Sequence, residues 1–154
     1  MIEKFLKQNN LGFSEIEFDA YINAFICFNQ DYNLAKFLNI SLDISALSRN
    51  LRKELEQGSL KYSLNIKNSE NIIFYSESLI IWLEQFLLVY TYLKNQNLVQ
   101  TPADILEIIA DFSEIKKLDI ANLADNQENW QSLMDLEQHC KMGILYIFNE
   151  YNQP

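Results

Sequence analysis

Backbone breakers are scarce in this chain. Three glycines and two prolines are spread over 154 residues. That favours long, uninterrupted elements, mainly helices. Three isolated glycines also exclude a glycine-rich phosphate loop. Cysteine is nearly absent: Cys27 and Cys140 cannot build a disulfide framework. Each lies in apolar sequence and is expected to be a buried free thiol. There is one histidine, His139, with Asp135 four residues before it. A lone His139-Cys140 pair falls short of the four ligands a structural zinc needs. No Glu-x-x-His pattern occurs, and Glu107, Asp111 and Glu114 fit a solvated helix face. No catalytic residue, metal, cofactor or enzymatic activity is therefore expected.

A long hydrophobic run is also missing. The most apolar stretch, Leu79–Leu93, falls short of the roughly 20 residues of a membrane span. Glu84 and Gln85 interrupt it. It is expected to be a central buried helix, with no membrane contact. Met1–Asn10 contains Glu3 and has no sustained apolar core, so no signal peptide is expected and the cytoplasm is the expected compartment.

What is present is bulk and negative charge. Ten Phe, eight Tyr and two Trp supply a large aromatic core, and 49% of residues are apolar. The length suits one domain or two small ones. Twelve Lys and Arg meet 21 Asp and Glu, a net charge of −9. Half of the basic residues cluster between Lys36 and Lys67. There Lys36, Arg49, Arg52, Lys53, Lys61 and Lys67 meet only Asp43, Glu54 and Glu56, so the rest of the chain sums to −12. A basic island in an acidic chain is a place for a polyanion to dock.

Periodicity assigns elements along the chain. Ile2–Gln8 fits a short amphipathic helix. Ser14 and Glu17 form a capping box, with Phe13 and Phe18 as a hydrophobic staple, and the helix should run to about Phe28. Asp31 or Asn33 can cap a short helix holding Leu34, Ala35, Phe37 and Leu38. Ile40–Asp43 is a turn. A second helix over about Ile44–Glu56 puts Leu47, Leu51 and Leu55 on one face, and Ser48, Arg49, Arg52 and Lys53 on the other. The period then becomes two: Leu60, Tyr62, Leu64 and Ile66 alternate with polar residues, and Ile72–Tyr75 is a second apolar run. Together they predict a β-hairpin. Ser76 or Ser78 would cap the helix Leu79–Leu93. Thr101-Pro102 opens another helix. A short helix is expected over Ile115–Ala124 and a longer one over Glu128–His139. Gly143–Phe148 fits strand or helix equally.

Helix, short helix, turn, helix, hairpin is the order of a winged helix-turn-helix. Leu34-Ala35-Lys36-Phe37-Leu38-Asn39-Ile40-Ser41 resembles the first helix and turn of that superfamily. Ser45–Leu55 resembles its recognition helix and Lys61–Tyr75 its wing. The likeness covers residues 14–76, with Asn39 at a turn position often held by glycine and a turn about two residues longer than usual. It implies that Ser48, Arg49, Arg52 and Lys53 face a major groove, and that Lys61 and Lys67 contact phosphates.

The expected fold is thus mainly α with one hairpin. A winged-helix region would span residues 1–76 and a helical region residues 77–154. Ile120-Ala121-Asn122-Leu123 echoes Leu34-Ala35-Lys36-Phe37, which suggests a degenerate second unit over 103–148. The aromatic helix would carry a homodimer seam through Trp82, Phe86, Val89 and Tyr90. Two functions are compatible with this layout. One is a dimeric DNA-binding regulator. The other is an acidic module (antitoxin, immunity protein, inhibitor or adaptor) that binds a basic protein, with the winged helix as scaffold.

Overall fold

The computed structural model describes residues 1–60 and 71–153. Every regular element among them is helical. The α-helices are α1 (Ile2–Gln8), α2 (Glu15–Cys27), α3 (Leu34–Leu38), α4 (Ser45–Glu56), α5 (Ile72–Asn95), α6 (Ala103–Ile115) and α7 (Gln127–Tyr151), with a 3-10 turn at Asp31–Asn33 leading into α3.

Local chemistry explains most boundaries. Ser14 caps α2, its hydroxyl accepting from the Glu17 amide at 3.2 Å, and the Phe13 and Phe18 rings lie 6.3 Å apart as the staple requires. Asn39 ends α3 in the left-handed region at φ +54°, and Ile40 N–H returns to the Ala35 carbonyl at 3.0 Å. Gly58 follows α4 at φ +71°. Asn126 caps α7 by accepting from the Asn129 amide.

The expected hairpin is overturned. Ile72–Tyr75 is the first turn of α5, because the Asn71 side chain accepts from the Ile73 and Phe74 amides and starts the helix there. Ser76 and Ser78, expected as caps, are buried inside the helix, and the Ser76 hydroxyl donates to the Ile72 carbonyl. The other expected strand, with Lys61 and Lys67, lies outside the described residues. No strand occurs among the described residues, the second strand of the expected wing is helix, and the winged-helix assignment does not hold.

The second winged-helix-like unit fails for a similar reason. Ile120–Leu123 lies in the connection between α6 and α7, where no helix forms. Glu128–His139 and Gly143–Phe148 belong to one 25-residue helix. His139 therefore sits in mid-helix, away from the C-terminus.

Helix α2 packs most extensively on α5, and α7 lies against α2, α4, α5 and α6. One hydrophobic cluster runs from Ile2 to Phe148. It crosses the expected boundary at 76/77, which falls inside α5. On length and composition α5 could cross a membrane. Here it is a core helix, with Trp82, Leu83, Phe86 and Val89 fully enclosed. A small satellite cluster joins Ile72, Tyr75 and Leu133.

Candidate interaction site on helix α4

The expected groove-reading face of α4 divides in two. Leu47, Leu51 and Leu55 anchor the helix in the core, as their spacing demands. Ser48 is also buried, and its hydroxyl donates to Asp31 Oδ2 at 2.5 Å. Arg52 turns the same way. Its Nη2 lies 3.1 Å from Asp31 Oδ1, and its Nη1 donates to Asn152 Oδ1. Asn152 in turn donates to the Ile26 and Cys27 carbonyls at 3.0 Å each. Arg52 and Ser48 thus tie α4 to the 3-10 turn and, through Asn152, to the ends of α2 and α7. Both are structural where the sequence suggests a reading surface.

Arg49 and Lys53 remain exposed on α4, and among the described residues neither has an ion pair. Lys61 and Lys67 lie outside the described residues. Beside Arg49 is an open groove of about 300 Å³, lined by Asp31, Tyr32, Ile44, Ser45, Ser48, Arg49 and Arg52. Asp43 stands nearby, with its carboxyl held below the usual range by the Ser45 side chain and amide and, less strongly, by Arg49. The groove therefore mixes both signs of charge, with Asp31 already neutralising Arg52.

The expected dimer seam is also corrected. Trp82, Phe86 and Val89 are fully buried and Tyr90 nearly so. Trp82 and Phe86 stack at 5.4 Å, and Trp82 Nε1 donates to Asp19 at 2.8 Å. These four side chains are used by the chain's own core and present nothing to a second copy.

Elsewhere the polar chemistry is sparse. Among the described residues no group of three or more His, Cys, Asp or Glu could hold a metal ion. His139 Nε2 meets Asp111 across the α6–α7 contact, both half exposed. Cys27 is fully enclosed and burial pushes its thiol well up. Burial, then Asp111 and Glu137, push Cys140 up to about 12. Neither sulfur is available as a thiolate nucleophile near neutral pH.

No family model and no curated protein matches the chain. A solved structure, that of the lpg0076 protein from Legionella pneumophila, has a similar fold, with a TM-score of 0.64 at 15% identity over 95% of this chain and 90% of that one. At that identity the likeness concerns the fold alone.

The residues that sequence reasoning missed are Asp31 as the partner of Arg52, and Asn152. Asp31 was visible only as a helix cap. Asn152 is 100 residues from Arg52, and no local pattern links them.

Proposed function

We propose that this chain is a non-enzymatic interaction module, an acidic helical protein that binds a basic protein partner. The observation that carries this reading is the diversion of Ser48 and Arg52 into the fold. A DNA reader needs several free cations on one face to offset long-range repulsion from a body of net charge −9. On α4 that leaves Arg49 and Lys53. The acidic surface that repels phosphate attracts Lys- and Arg-rich surfaces and raises the rate of encounter with them.

The test compares the two polyelectrolytes directly. A displayed library of random peptides is selected against the immobilised chain, and fluorescence anisotropy measures random-sequence duplex DNA at about 50 mM salt, where phosphate contacts are strongest. The expected result is enrichment of Lys- and Arg-rich peptides with salt-sensitive affinity, and no DNA binding. Duplex binding that disappears in Arg49→Ala would overturn the proposal and restore a DNA-binding role.

A further inference from the structure

Helix α5 carries an apolar stripe that the described residues leave exposed. Phe74, Ile81 and Leu88 are 51%, 39% and 49% exposed. They stand seven residues apart on a helix whose other side is core. Glu77, Glu84 and Thr91 alternate with them, and all three are exposed. Single exposed apolar side chains are ordinary on protein surfaces. Three on a strict seven-residue repeat form one row of a heptad seam, a row against which a second helix packs its knobs. The stripe is about 21 Å long at 1.5 Å per residue. A seven-residue repeat drifts by roughly 20° per heptad on a straight helix, so a partner helix following it would wind left-handed.

The charges decide what fits. Glu77 and Glu84 are the only acids of α5, both lie on the stripe, and neither makes an ion pair among the described residues. A second copy is a poor occupant. Antiparallel pairing about Ile81 sets Phe74 against Leu88 but brings Glu77 of each copy beside Glu84 of the other. Parallel pairing sets each glutamate against itself. Like charges across such a seam are destabilising, and each copy already carries −9. A helix with apolar residues at seam positions and Lys or Arg beside them fills the gaps between the three side chains and neutralises both glutamates.

We infer that the Phe74–Ile81–Leu88 stripe of α5 is the docking seam for a basic amphipathic helix of a partner protein. This rests on the interaction-module reading and gives it a surface. The probes are two synthetic peptides of about three heptads, with identical Leu seams, one flanked by Lys and the other by Glu. Calorimetric titration should show the Lys peptide binding and the Glu peptide not. The triple variant Phe74→Ala, Ile81→Ala, Leu88→Ala should weaken binding by roughly tenfold or more. The double variant Glu77→Lys, Glu84→Lys should reverse the preference. All five positions are solvent-exposed, and circular dichroism checks that each variant keeps its helices. Three results would overturn the seam: equal affinity for both peptides, Lys-peptide affinity unchanged in the triple variant, or self-association abolished by Ile81→Ala. If the triple variant still binds the Lys peptide at full strength, the seam fails while a basic partner remains supported. Duplex binding with neither peptide bound removes both readings.

Discussion

At the scale of single residues, polar side chains in the interior hold the structure in register. Asp19 is 1% exposed in the middle of α2. It accepts from Trp82 Nε1 at 2.8 Å and from Asn23 Nδ2 at 3.0 Å. A buried acceptor that loses its donor keeps the desolvation cost and loses the compensation. Trp82→Phe should therefore cost about 3 kcal/mol, including the ring volume lost. Urea denaturation checks this. In a double-mutant cycle with Asp19→Leu the two losses should fall short of additivity by at least about 1 kcal/mol, because the pair acts as one unit. Strict additivity would show that Trp82 matters by volume alone. Neither partner's role was legible beforehand. Asp19 sits in a helix whose apolar spacing gives no hint that its polar face is also covered, and Trp82, 63 residues away, is apolar in any pattern count.

At the scale of elements, local signals served well where one short motif fixes a boundary. The capping box at Ser14, the Asn39 turn and the Asn126 cap all act within a few residues. The hairpin failed because Ile72–Tyr75 is apolar and short, a pattern that strand and buried helix share. Asn71 and the packing of Ile72 and Tyr75 on Leu133 make it a helix. The exposed stripe of α5 had a legible trace in the seven-residue spacing of Phe74, Ile81 and Leu88, with Glu77 and Glu84 marking the solvent side. The aromatic residues Trp82, Phe86 and Tyr90 mark the buried face of the same helix instead. Gly143 shows an element-scale constraint of another kind. A Cβ there would lie 3.1 Å from Ile108 Cγ2 and from the Phe112 ring, where α6 and α7 cross. In an open helix Gly→Ala gains about 1 kcal/mol. Phe112 is 1% exposed and packed into the core, so overpacking should exceed that gain. Gly143→Ala is expected to destabilise by about 1 kcal/mol, read as a lower urea midpoint with an unchanged slope. A higher midpoint would mean that the α6–α7 contact yields.

At the scale of the whole molecule, the division at 76/77 implied by the winged-helix resemblance is not a division of the core. The basic island and the acidic remainder differ in charge, and charge patterning reports on surface and partners rather than on packing. The interior follows apolar burial, which joins α2 to α5 and places α7 against both. Phe28 shows this connectivity: its ring contacts Phe86 and Tyr90 of α5 and Tyr151 at the end of α7, at centroid distances of 5.8, 5.6 and 5.1 Å. A fragment of residues 77–154 would keep Trp82, Leu83, Phe86 and Val89 but lose the helix that covers them. It would also lose the first turn of α5 with its Asn71 cap. A fragment of residues 1–76 would keep α2 but lose most of α5 and all of α7, which now cover Phe28 and the α2 face packed on α5. Each half should therefore be unfolded or aggregated when expressed alone, with poor amide dispersion in NMR spectra. The intact chain should unfold in one cooperative transition that coincides for fluorescence and circular dichroism. A cooperatively folded 77–154 fragment would restore the two-domain division.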